Sequence, residues 1–142
     1  MTRGSMRDSS AENKLEDPRL PRDLIDSLPD QVYVKDTEGR FLFSNAGHLR
    51  ALGAASREEV AGKTDFDFYP RELAERYRAD EQEVIRTGRP VIGREEPNVD
   101  EDGNERWHST TRAPLQDDGG KVVALVGVTR DVTERREAEK AL

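Results

Sequence analysis

The chain has 142 residues, two histidines (His48 and His108) and no cysteine. Without cysteine there is no thiolate nucleophile, no disulfide frame and no cysteine-linked chromophore. A metal centre needs further ligands at suitable spacing, and neither histidine has a second histidine or a carboxylate in such a pattern. Each ring is expected to be satisfied by a backbone carbonyl or solvent, with ligand contact as the sharper alternative. Asp80 is the third group of interest, because it interrupts the stripe Leu73, Tyr77, Asp80, Val84 at i, i+4, i+7, i+11. A carboxylate on that stripe would have its ionised form disfavoured by burial and could meet a cationic or hydroxylated ligand. The plainer reading pairs it with an arginine, Arg76 or one on a strand, or sets it at the edge of the stripe.

Trp107, Ser109, Thr111 and Ala113 share one face of a strand, and His108, Thr110, Arg112 and Pro114 share the other. Either face could line a pocket for a modest polar ligand, and the sequence does not choose between them. Asn45 carries an amide at a strand-to-helix turn, where it caps the next helix or touches a ligand. The candidate ligand-binding set is therefore Asn45, His48, Asp80, Trp107, His108 and Thr110. Asp65 and Asp67 read as capping residues. Asp100 to Asn104 partly resembles a calcium loop, but its glycine is misplaced and no glutamate closes it, so it reads as a solvated hairpin turn. No nucleophile stands at recognisable spacing from a base. A small α+β enzyme using His48 or His108 with Asp80 therefore ranks last, and no catalytic or metal residue is assigned.

The elements that must position these groups follow from pattern and punctuation. Leu20, Leu24, Ile25 and Leu28 recur at helical spacing before Pro29, predicting a short amphipathic helix over 19–29. Val32–Lys35 and Phe41–Phe43 read as strands joined by a turn at Asp36–Gly39. Short helices are expected over Ala46–Leu52 and after Ser56, whose Glu59 would complete a capping box, with a single helical turn in Thr64–Tyr69. Pro70 and Gly88 bracket the longest helix. Three strands complete the domain, Pro90–Val99, Asn104–Leu115 and Val122–Arg130. The fold class is α+β: a five-stranded antiparallel sheet with helices on one face.

The end of the chain changes character abruptly. Val122–Val128 is β-branched and reads as a strand buried on both faces. From Val132 onward Glu, Arg and Ala dominate, which favours helix. Asp131 precedes Glu134 by three residues, as a capping box requires. Arg135 and Glu139 can pair at i, i+4, and Val132, Ala138 and Leu142 give a sparse apolar seam. The helix is still in pattern at Leu142 and is expected to continue toward an effector domain. Asp131, Thr133, Glu134 and Arg135 are the candidate signal-transmitting residues.

Composition bounds the partners. Hydrophobic residues make up 33% and charged residues 37%, with a net charge of −7, which argues against nucleic acid or an anionic membrane as the main partner. No apolar run has the length of a membrane span and no signal-peptide core follows Met1, so a cytoplasmic domain is expected. Residues 1–18 are polar and aperiodic, reading as a disordered leader whose first residues could be a tag remnant.

The order of elements and the residues that punctuate it resemble the PAS family of sensory domains. The resemblance runs from about Leu24 to the end. It rests on Asp36–Asn45, Glu58–Lys63, Thr87–Pro90, Asp102-Gly103 with Arg106-Trp107, Pro114-Leu115 with Gly119, and Val126–Arg135. It implies a domain over 30–131 whose sheet cups a small cavity, followed from 132 by an output helix. It also implies sensing or dimerisation within a signalling protein such as a histidine kinase or a cyclic-dinucleotide enzyme. The family's flavin-adduct and thioester-chromophore branches need a cysteine that this chain lacks. Its haem branch takes a histidine from the long helix, which has none here, so haem is not expected, and the cofactor, if any, is left unnamed. The expected function is a sensory module coupling cavity occupancy to the exit helix, with a small-molecule ligand, a C-terminal effector domain and homodimerisation. The competing expectation is a ligand-free homodimerisation module.

Overall fold

In the structure, a computed structural model, residues 16–100 and 102–142 are described; positions 1–15 of the expected leader lie outside them. The elements are α1 (Leu20–Asp26), β1 (Gln31–Asp36), β2 (Phe41–Ser44), α2 (Ala46–Leu52), two 3-10 turns (Arg57–Glu59 and Asp65–Asp67), α3 (Arg71–Thr87), β3 (Val91–Val99), β4 (Glu105–Gln116), β5 (Val122–Asp131) and α4 (Thr133–Lys140). The strands form one antiparallel sheet in the order β2-β1-β5-β4-β3. β5, the last strand in sequence, is central.

Register decides what faces the helices. Tyr33 pairs with Gly127, and Gly127 with Arg112, so one row crosses β1, β5 and β4. Tyr33, Phe41, Val60, Val84 and Leu125 form the buried apolar cluster, with Leu49, Leu52, Phe68 and Ile85 packed against it. Phe41 and Leu125 are each 1% exposed, and side chains of that size contribute about 1.5–3 kcal/mol apiece on burial. Gly127 is required by this packing. A Cβ there would lie 2.2 Å from the Tyr33 ring, so glycine lets that ring lie flat across β5 toward Arg112.

α1 buries none of its residues, and Leu24 is 56% exposed. Polar contacts hold it instead. Asp26 pairs with Arg57 and accepts from the Ala46 backbone N–H, and the Asn45 amide donates to the Ile25 carbonyl. Asn45 is itself fully buried. Its Oδ1 accepts from the backbone N–H of Val32 and of His48, capping α2, and its Nδ2 also donates to the Asp30 carbonyl.

Three local expectations are corrected. Asp131 closes β5 and does not form a capping box with Glu134. Its Oδ1 accepts from the Thr133 N–H at 2.9 Å, while Oδ2 is held by Arg106 at 3.0 Å. The residue before α4 is Val132, and the carboxylate is drawn sideways to the guanidinium on the neighbouring strand. Ser56 makes no cap either; the Glu59 carboxylate reaches the Ala55 N–H instead. The capping box forms at Thr64 and Asp67, which support the second 3-10 turn. Finally, β5 is not buried on both faces. Ala124, Leu125 and Gly127 are buried, but Val126 and Val128 on its outer face are only half-buried.

Candidate functional site

A cavity of about 360 Å³ lies between the sheet and the helical layer. Strand alternation supplies its floor: Gln31, Tyr33 and Lys35 from β1, Thr129 from β5, and His108, Thr110 and Arg112 from β4. Leu73, Arg76, Tyr77 and Glu81 of α3 and His48 of α2 form the walls, with Asp65 and Tyr69 from the connecting turns. The last residues of β3, including Glu96 and Asn98, close the far side.

At one end of the cavity lies a buried ionic cluster. Lys35 Nζ stands 2.6 Å from Asp65 Oδ2 and 2.6 Å from Glu81 Oε2, and both side chains facing it are at least nine-tenths buried. Its ammonium also sits 4.9 Å from the Phe41 ring centre and 5.1 Å from that of Tyr33. The cluster ties β1 to the 3-10 turn and to α3. Burial pushes the Glu81 carboxyl above its usual range, and the neighbouring ammonium offsets part of that shift.

His48 is 3% exposed and lies between Tyr33 and Phe41, with ring centres at 4.8 and 5.2 Å. Its Nδ1 is 2.9 Å from Ser44 Oγ. Burial lowers its pKa to about 4, and the charge on Lys35 adds to the effect, so the ring is neutral near pH 7. Tyr33 and Tyr69 are pushed upward by burial and act only as neutral phenols.

The candidate residues separate into groups. His48, His108 and Thr110 meet in the cavity lining. Asp80 is turned to its edge, with its carboxylate 3.9 Å from Arg112 Nη1, so its closest cation is a strand arginine. Asn45 has its amide groups engaged by backbone and stands outside the lining. Trp107 lies on the opposite face of β4, where the Arg136 guanidinium stacks on its ring at 3.7 Å. Among the described residues, no group of three or more acidic, histidine or cysteine side chains is arranged to hold a metal.

Pattern reading missed Lys35, Glu81 and Arg112 as site residues, and Asp65, expected to cap a helix, instead pairs with Lys35 in the lining while Thr64 and Asp67 make the cap. The signal for Lys35 was its phase, two residues beyond Tyr33 on the same strand face. For Glu81 it was the alternative helical stripe Ala74, Tyr77, Glu81, Val84, of which Ala74, Glu81 and Val84 are buried. Arg112 shares a face with His108 and Thr110, and became a site residue once that face proved to be the inner one.

The last strand of the sheet passes directly into α4. Asp131 pairs in register with His108, and the His108 Nε2 lies 4.0 Å from its carboxylate. Val132 N–H donates to the Trp107 carbonyl at 2.8 Å, and the Trp107 N–H donates to Thr133 Oγ1 at 2.8 Å. Arg135 and Arg136 both reach Glu95 on the outer face of β3 at 2.7 Å, and Arg135 also pairs with Glu139. Glu134 is exposed. A residue lining the cavity, His108, is thus the chain neighbour of the residue that docks the exit helix, Trp107.

This arrangement matches a known family. The PAS fold family matches residues 25–137, and the chain belongs to it. It is 35% identical over 139 residues to the protein y4lL of Sinorhizobium fredii, covering 96% of this chain and 17% of that protein. It is 27% identical over 117 residues to the methanogenesis regulatory histidine kinase FilI of Methanothrix harundinacea, covering 82% of this chain and 13% of that kinase. The PAS domain of BvgS from Bordetella pertussis superposes with a TM-score of 0.70 at 27% identity, covering 91% of this chain and 93% of that one. The chain therefore spans less than a fifth of the length of these two relatives, and its homologues include sensory domains of larger signalling proteins. Among the described residues, no helix is long and apolar enough to cross a membrane.

Proposed function

We propose that this domain is a sensory module in which occupancy of the cavity alters the docking of α4, and through it a C-terminal effector such as a histidine kinase or a cyclic-dinucleotide enzyme. The observation that carries the reading is the double use of β4 and β5. His108 and Thr129 face the cavity, while Trp107 and the end of β5 hold α4 on the other side of the same strands. A ligand that shifts His108 shifts the partner of Asp131, one residue away from the helix docking bonds. The module has no catalytic role of its own in this reading, and it acts in the cytoplasm.

A double-mutant cycle tests it. Leu73→Trp fills the cavity from α3 and leaves every residue of β4 and β5 in place, and Trp107→Ala removes the docking surface of α4. Independent sites add within about 0.3–0.5 kcal/mol in such a cycle. The reading expects a coupling larger than that in chemical denaturation; strict additivity would count against it.

A second reading is favoured by one observation. Leu24 of α1, Leu28 just after it and Leu42 of the edge strand β2 are 56, 45 and 59% exposed, leaving large apolar side chains uncovered. These would pack against a second copy in a homodimer, with or without a cavity ligand. Light scattering on the full chain and on a variant lacking residues 1–28 checks this: loss of a dimer supports it, and a monomer in both refutes it.

A further inference from the structure

Arg112 sits at the centre of the cavity floor, beside Tyr33 across Gly127. Its side chain is 5% exposed, and its Nε and Nη1 are buried with no hydrogen-bond partner among the described residues. The carboxylate within 4 Å of it is that of Asp80, and 3.9 Å from Nη1 is beyond hydrogen-bonding reach. Lys35, the other buried cation of the lining, has two carboxylate oxygens at 2.6 Å. The fold thus satisfies one buried cation and leaves the other short of acceptors. A guanidinium desolvated without replacement hydrogen bonds is destabilising, and an apolar side chain of similar size would serve packing better.

From that contrast we infer that Arg112 is the ligand-reading residue of the cavity, and that the ligand is a compact ring compound presenting an uncharged, carbonyl-type oxygen to it. The inference rests on the cavity being a ligand chamber, as proposed above, and adds the chemistry of what enters. The ring is argued from the walls, since Tyr33, Tyr69, Tyr77 and His48 offer aromatic faces and edges. The volume of about 360 Å³ limits the size. The absence of charge is argued from the balance of the lining. Lys35, Arg76 and Arg112 stand against Asp65, Glu81, Glu96 and Asp100, with Asp80 beside Arg112. A carboxylate would enter a site already net negative, whereas a neutral oxygen takes the free N–H groups without that repulsion.

Benzamide and benzoate, which share a ring and differ in charge, make the test. Each is titrated into the wild-type chain, Arg112→Met and Arg112→Lys, with binding read by NMR and folding by thermal denaturation. The expected result is benzamide binding to wild type, weakened roughly ten-fold or more in Arg112→Met, in line with the loss of a hydrogen bond to a charged donor. Arg112→Lys is also weakened, because an ammonium lacks the planar donor array. Benzoate binds wild type more weakly than benzamide, and Arg112→Met melts at or above the wild-type temperature. Equal benzamide binding by wild type and Arg112→Met, no benzamide binding by wild type, or benzoate binding as tightly as benzamide would each overturn the inference. So would a loss of the folded state in both Arg112 variants, which would make the residue structural. Failure of the sensory reading looks different: benzamide would bind through Arg112 while α4 stayed unchanged. If cavity filling by Leu73→Trp altered α4 but benzamide did not bind, the ligand class would fall and the coupling would stand.

Discussion

Lys35 is the residue on which the inner layer turns, because it holds β1, the Asp65 turn and α3 with one ammonium. Removing it leaves two buried carboxylates facing each other without compensation. Lys35→Met is expected to destabilise the domain at pH 7 by about 3–5 kcal/mol, and adding Glu81→Gln to recover part of that loss, both read by urea denaturation. His48 gives a pH signature. Its folded pKa of about 4 lies below the ordinary 6.5, so the folded state binds fewer protons than the unfolded chain between those values. The stability it contributes is present above pH 6.5 and is lost as pH falls toward 4, by about 3 kcal/mol. Glu81, with its raised pKa, works in the opposite sense, lowering stability as pH rises above its ordinary 4.5. Comparing His48→Phe with wild type isolates the histidine: the variant is expected to show a shallower loss of stability from pH 6.5 to 4. Equal slopes would mean that the ring titrates normally. These residues were only partly legible in the sequence. His48 stood out because histidines are scarce, whereas Lys35 and Glu81 were hidden among the many surface charges. Only the strand phase and a one-residue shift of the helical stripe mark them as inner residues, and neither is decisive without the fold.

At the scale of elements, the junction between β5 and α4 is governed by short-range bonds around Asp131, Thr133 and Trp107. Asp131→Ala removes the acceptor for the Thr133 N–H and the partner of Arg106. The loss of that backbone bond is expected to cost about 1 kcal/mol and to raise amide exchange across Thr133–Lys140, with β1 and β2 unaffected. Unchanged exchange in α4 would show that Trp107 and Glu95 alone fix the helix. The order of strands and helices could be read from the sequence because glycine turns, proline starts and apolar runs agree with one another there. That Asp131 makes no capping box with Glu134 could not be read there. Local spacing allowed the box, but Arg106 arrives from a different strand, and a contact 25 positions away in sequence leaves no periodic mark.

For the molecule as a whole, the cavity exists because Gly127 lets Tyr33 lie across the central strand. Gly127→Ala would force that ring out of its place and is expected to destabilise the domain by about 1–3 kcal/mol, as overpacking does in a filled core. The same row joins cavity and exit helix, since β5 carries Gly127 and Thr129 toward the chamber and ends at Asp131. The fold class and the family were visible in the order of turns and strands along the chain. Which face of β4 turns inward was not, because His108, Thr110 and Arg112 are as polar as Ser109 and Thr111. The most direct measurement of the central claim is amide hydrogen exchange across Thr133–Lys140 in wild type and in Leu73→Trp, whose added ring occupies the cavity from the side opposite the sheet. Coupling predicts changed protection in α4 although the substitution lies on α3 and α4 contributes no residue to the cavity lining. Altered exchange confined to α3 and the cavity floor, with α4 identical in the two proteins, would contradict it.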